Sequence, residues 1–164
     1  MKAYWIAIGV AVLVAWSIVS SLPKPGQPLG AAPEFSLTSL QGTTVSLADL
    51  RGQVVLIDFW ASWCGPCKAT FPEVQAVAAR HADEGLVLLV VDLDRNPDSA
   101  RTYMEEHGFP LENVLYGSWD SAQAVREKYG VGGIPHTVLI DRQGMIRYSG
   151  HPMRLREGSL AEWL

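Results

Sequence analysis

Both cysteines of this 164-residue chain fall in one short segment, Trp63-Cys64-Gly65-Pro66-Cys67-Lys68. Two thiols at this spacing can exchange electrons with a disulfide. One thiolate attacks, and the second displaces it from the mixed disulfide that forms. The chemistry needs a turn that leads into a helix, and Pro66 suits a first helical turn because its missing N–H would be unpaired there anyway. A cysteine just before that helix meets free amides and a partial positive charge, which favour the thiolate. Cys64 is therefore the expected nucleophile, and Cys67, one turn in, the buried resolving thiol. Two other uses of the pair are open. A purely structural disulfide would close a loop of two residues and remove little chain entropy. A metal site would need His81, His107, His136 or His151 to converge on the thiols, and none has zinc-finger spacing to them.

The elements that must position this turn follow from periodicity. Val54 to Trp60 is a continuous apolar run of strand length, as in a strand buried on both faces. Asp58 interrupts it. A buried carboxylate is costly and its pKa rises unless it is paired, so Asp58 stands out, with a structural acid bonded to Lys68 or the backbone as its plain reading. From Cys67 to Glu84 the pattern is helical, with Phe71, Val74, Val77 and Ala78 on one side and Pro72 as an interruption. Leu86 to Leu93 reads as a second buried strand, Asn96-Pro97-Asp98 opens a helix to about His107, and Val114 to Tyr116 forms a short strand. Ser121 to Tyr129 reads as a helix stopped by Gly130. His136–Ile140 and Met145–Ser149 flank Asp141-Arg142-Gln143-Gly144 as a hairpin, and Glu157–Leu164 forms a last helix. Upstream, Glu34–Leu40 and Thr43–Leu47 alternate around Gln41-Gly42 as an N-terminal β-hairpin. This order predicts an α/β fold with a mixed central sheet flanked by helices.

Mean hydropathy is +0.11, and its source is local. Of the 19 residues from Tyr4 to Leu22, 15 are apolar, and no charge lies between Lys2 and Lys24. At about 1.5 Å per helical residue this run nearly matches a hydrocarbon core of ~30 Å. Residues 1–22 therefore read as a transmembrane anchor, with a cleaved signal peptide and a buried helix as the alternatives. Residues 23–33 form a Pro-rich linker and 34–164 one domain. All 17 acidic residues lie from Glu34 onward. The acidic balance excludes an ordinary nucleic-acid binder, and two cysteines exclude a multi-disulfide scaffold. Lys2 before the span gives a slight positive-inside bias, placing the domain on the extracytoplasmic side.

The segment Val55-Leu56-Ile57-Asp58-Phe59-Trp60-Ala61-Ser62-Trp63-Cys64-Gly65-Pro66-Cys67-Lys68 resembles the active-site strand and turn of the thioredoxin superfamily. Pro72 falls where that family kinks its helix, and Gly133-Ile134-Pro135 resembles its cis-proline loop. The finer resemblance is to the membrane-anchored, extracytoplasmic TlpA/ResA-like thiol–disulfide oxidoreductases. It rests on the N-terminal span, on the hairpin leading to Leu50-Arg51-Gly52, and on an insert of roughly 25 residues between Asn96-Pro97 and Lys128-Tyr129-Gly130. There are departures from the pattern. Thr70 stands where ResA-like proteins often carry Glu, and Val90 where thioredoxin places a Lys. Ala61 stands where peroxiredoxins have Thr, against a peroxidase.

The resemblance implies a thioredoxin fold and a redox-active Cys64–Cys67 disulfide, with Asp58 as proton acceptor for Cys67. It implies substrate contacts from Trp63, Gly65, Pro66, Ile134 and Pro135, while Trp60 reads as core and His136 as non-catalytic. No cofactor and no metal are expected. The expected partners are proteins with disulfides or thiols, a membrane thiol-electron donor, and the inner (cytoplasmic) membrane itself, with the domain facing the periplasm or its equivalent. Gly-Pro between the cysteines resembles reducing members, so the expected function is reduction of protein disulfides of the cytochrome c maturation or metal-site assembly type. The alternatives are a thiol oxidase or isomerase, or a non-catalytic binding or metallochaperone module on the same fold.

Overall fold

The computed structural model describes residues 28–155 and 157–164. The span read in residues 1–22 lies outside them, and among the described residues no helix is long and apolar enough to cross a membrane. The strands are β1 (Gly30–Ala31), β2 (Ser36–Thr38), β3 (Thr44–Ser46), β4 (Val54–Trp60), β5 (Leu86–Asp92), β6 (Val114–Leu115), β7 (His136–Ile140) and β8 (Met145–Gly150). The helices are α1 (Gly65–Arg80), α2 (Pro97–Glu106), α3 (Trp119–Lys128) and the short α4 (Glu157–Leu160).

Six strands form one sheet in the order β1-β8-β7-β4-β5-β6, with β4–β5 and β5–β6 parallel and the other pairs antiparallel. The expected mixed sheet is thus present. Every residue of β4 is buried, as its unbroken apolar run requires, because β4 is flanked by β7 and β5 and packed by α1. Trp60, Phe71 and Phe109 pack in sequence across β4 and α1, with ring centroids 6.0 and 5.2 Å apart.

The sheet begins earlier in the chain than the sequence pattern implies. Gly30 and Ala31, which read as linker, pair with Ile146 and Met145 at the β8 edge. Two residues carry no readable strand period, so this pairing had no local signal. The next residues are fastened to the end of α3. Tyr129 Oη donates to Pro33 O at 2.9 Å, and Phe35 meets the Tyr129 ring edge-on.

The hairpin expected around Gln41-Gly42 is β2–β3, shorter than its alternating pattern. Ser39 N still donates to Thr43 O across the hairpin, while the same stretch docks on β6, where Leu40 N donates to Val114 O and Tyr116 N to Thr38 O. An otherwise bare sheet edge is covered in this way. Helix α1 starts at Gly65 rather than Cys67 and ends at Arg80 rather than Glu84. A tight turn over Ala82–Glu84 follows, and Gly85, at φ +87°, reverses the chain into β5. Helix α3 starts two residues before Ser121, because the Ser118 side chain accepts from Ser121 N and caps it.

Candidate active site

The chain leaves β4 at Trp60, turns over Ala61–Trp63, and enters α1 with Cys64 as the N-cap residue. Cys64 has extended backbone (φ −84°, ψ 97°), and Cys64 N donates to Ala61 O at 3.0 Å, closing the turn. Gly65 and Pro66 occupy the first two helical positions, so Pro66 sits where its missing N–H has no cost. Cys67 N then points back at Cys64 Sγ, 3.2 Å away. Capping is usually the task of a Ser or Asp oxygen. Here a sulfur takes that place, so charge released on Cys64 forms against a helix amide and the positive end of the dipole.

Cys64 and Cys67 are joined in a disulfide, with Cα atoms 5.2 Å apart. Cys64 retains 5% of its surface and Cys67 none. Both cysteines are buried, and of the two only Cys64, the nucleophile expected from the sequence, keeps any surface. Trp63, beside Cys64, is 67% exposed, whereas Trp60 is wholly buried.

The strand register brings the other expected residues to the same end of the sheet. Phe59 pairs with His136 at the start of antiparallel β7, so Ile134-Pro135, which precede β7, lie at the Cys64 end of β4. The Ile134–Pro135 bond is cis. His136 Nε2 lies 2.9 Å from Ser149 Oγ, and burial lowers its pKa from the ordinary histidine value.

Asp58 lies in the centre of β4, fully buried, and pairs in register with Thr137 of β7 and Val90 of β5. Its partner is neither Lys68 nor the backbone. Thr137 Oγ1 donates to Asp58 Oδ1 at 2.9 Å, and Oδ2 has no hydrogen bond among the described residues. Burial outweighs that bond and pushes the Asp58 pKa up to about 7. Thr137 also lines a cavity of about 180 Å³ shared with Leu56, Thr70 and Glu73. Across that cavity, Thr70 Oγ1 is 3.2 Å from both Pro66 O and Cys67 O. Thr137, which holds Asp58, and Thr70, which is bonded to the helical turn that carries Cys67, thus line the same cavity.

Sequence reasoning missed four polar residues. Thr137 is the partner of Asp58. Ser62, Asp92 and Asp94 form a second cluster at the same end of the sheet, where Trp60 and Asp92 are register partners at the ends of β4 and β5. Burial pushes the Asp92 pKa up to about 8, reinforced by the charge of Asp94 and moderated by the backbone N–H of Asp94. A signal was present, since two acids at the carboxyl end of an apolar strand sit where open α/β sheets place their sites.

A mixed sheet with a redox pair capping its first long helix and a cis proline at the same sheet end is the architecture of the thioredoxin superfamily. Residues 29–149 match the AhpC/TSA family, and the chain belongs to it. Among curated proteins it is similar to the thiol-disulfide oxidoreductase ResA of Oceanobacillus iheyensis, 31% identical over 142 residues, covering 81% of this chain and 71% of that one. It is also 29% identical to the ResA protein of Bacillus thuringiensis strain Al Hakam over 115 residues, which are 70% of this chain and 64% of that protein. The matched region thus spans somewhat under two thirds of that relative's length. A solved thioredoxin domain of a thiol-disulfide oxidoreductase from Bacteroides vulgatus superposes with a TM-score of 0.70 at 28% identity, covering 86% of this chain and 95% of the other.

Proposed function

We propose that this chain is a thiol–disulfide oxidoreductase of the ResA type that reduces disulfides in proteins. The observation that carries the proposal is the capping of α1 by Cys64 with Cys67 one turn behind it, an attacking and a resolving sulfur in one turn. In the reduced state, the Cys64 thiolate attacks one sulfur of a substrate disulfide and expels the other as a thiolate. Cys67 loses its proton, attacks Cys64 Sγ and expels the substrate's first sulfur. Substrate gains two electrons and the chain keeps the Cys64–Cys67 disulfide. Asp58, reached through Thr137 and the cavity beside Thr70, takes the Cys67 proton. Trp63, Gly65, Pro66, Ile134 and Pro135 form the surface on which the substrate chain lies.

The wild-type chain should accelerate insulin reduction by dithiothreitol, read as turbidity, above the dithiothreitol control. Turbidity no faster than that control would overturn the reading in favour of a non-catalytic binding module.

The same proposal places residues 1–22 as a single-pass anchor in the cytoplasmic membrane, with the domain outside the cytoplasm. Its support is the uncharged run from Tyr4 to Leu22 and the lysine ahead of it. A reductant in an oxidising compartment needs electrons delivered, so a membrane thiol donor is part of the proposal, with cytochrome c maturation or metal-site assembly as the substrate class. Alkaline phosphatase fused after residue 33 should be active in cells, and an inactive, stably expressed fusion would rule out export.

A further inference from the structure

Behind the Cys64 loop lies a polar cluster that the exchange reaction does not use. Asp94 accepts twice from one residue. Ser62 N donates to Oδ2 at 2.8 Å and Ser62 Oγ to Oδ1 at 2.9 Å. Asp94 is in turn fixed from below, its own N–H donating to Asp92 Oδ1 at 2.9 Å. Leu93 N, between the two acids, donates to Trp60 O at 2.9 Å. Asp92 is wholly buried and Asp94 retains 3% of its surface. Burying two carboxylates side by side is expensive, so their presence calls for a role that apolar residues cannot fill.

We propose that Asp94 is a positioning residue for the nucleophile: its carboxylate clamps Ser62, and with it the loop that presents Cys64 to the α1 N-terminus, while Asp92 fixes the clamp to β5. The carboxylate offers one oxygen to the Ser62 N–H and the other to its O–H, so one side chain holds the residue by both groups. With Ser62 held, Ala61 O stays in place for Cys64 N, and Cys64 Sγ stays in place for Cys67 N. Without the clamp, the loop loses both hydrogen bonds that tie Ser62 to the β5 end and keeps the core packing of Ala61, so the sulfur samples positions outside the helix field more often.

The inference rests on Cys64 being the attacking sulfur, and its test does not depend on turnover. The reduced chain is alkylated with iodoacetamide across a pH series, and the rate is followed by mass at Cys64. Asp94→Ala should slow alkylation about fivefold at pH 7 and move the profile to higher pH, because it forfeits the helix-terminus interaction that favours the thiolate. Asp94→Asn keeps an acceptor for Ser62 N and a donor for Ser62 Oγ, and should restore most of the rate. Ser62→Ala removes one of the two bonds, should fall between them, and serves as the test if Asp94→Ala does not fold. An unchanged profile in Asp94→Ala, or in Ser62→Ala in its stead, overturns the clamp. So does equal slowing in Asp94→Asn and Asp94→Ala, which assigns the effect to charge. Failure of the insulin assay with a normal alkylation series would count against the oxidoreductase reading and leave the clamp standing.

Discussion

Replacing Cys64 with Ser should reduce insulin reduction to the level of dithiothreitol alone, while Cys67→Ser should stall the reaction halfway, as a covalent complex with substrate. The two cysteines share a disulfide and differ in place. Cys64 caps the helix and retains some surface; Cys67 sits inside the first turn with none. A substrate sulfur approaching from solvent meets Cys64 first, and a hydroxyl there is too weak a nucleophile to open a disulfide without a base beside it. With Ser at 67, Cys64 still attacks, and the backbone N–H of residue 67 still stands at the helix end to stabilise its charge. No second thiol is then available, so the mixed disulfide accumulates and survives until external thiol removes it. Non-reducing gels of Cys67→Ser with a disulfide-bearing substrate should show a dithiothreitol-sensitive band at the combined mass. Such a band in Cys64→Ser instead would reverse the assignment.

The legible parts of this site were those written in consecutive residues. The strand Val54–Trp60 announces itself as an unbroken apolar run, and Cys64-Gly65-Pro66-Cys67 carries its own helix start. Asp58 stood out because an acid inside such a run has few innocent explanations. Its actual partner did not, since Thr137 lies 79 positions away and meets it only through the β4–β7 register. The Ser62–Asp94–Asp92 cluster stayed hidden for the same reason. Asp94 reads as the start of a loop until parallel pairing of β4 with β5 brings it beside Ser62, 32 positions earlier. Gly30–Ala31 were hidden differently, being a strand only because the β8 edge is there to receive them. Helix ends followed this division. Ser118 and Asn96 cap α3 and α2 through local bonds, while the early end of α1 depends on where β5 must begin.

The buried acid ties stability and turnover to pH in opposite directions, and Asp58→Asn should separate them. Asp58 has a pKa of about 7 in the folded chain against an ordinary aspartate value of 3.8. Between these limits the folded state binds the proton and the unfolded state has released it, so stability falls as pH rises from about 4 to about 7. The fully developed penalty above pH 7 is on the order of 4 kcal/mol, since each tenfold change in proton affinity between the two states is worth about 1.4 kcal/mol. Asp92, with its pKa raised to about 8, adds to the same slope. Asparagine at 58 still accepts from Thr137 and has no charge to bury. Its amide, left where Oδ2 has no partner, costs about 1–3 kcal/mol, but equally at every pH. Denaturant midpoints of the oxidised chain should therefore decline less between pH 5 and pH 8 in Asp58→Asn than in wild type, whatever the difference at pH 5. Turnover should respond in the other sense. Wild-type release of substrate from the mixed disulfide accelerates through pH 7 as the carboxylate forms and accepts the Cys67 proton. In Asp58→Asn the release should be slowed about 10²-fold or more at pH 8, and that carboxylate step should be missing from its pH profile. Parallel midpoint curves for the two proteins would mean that Asp58 is not protonated in the fold near neutrality. An unaltered release profile would move the proton acceptor elsewhere, with Glu73 on the same cavity the next carboxylate to test.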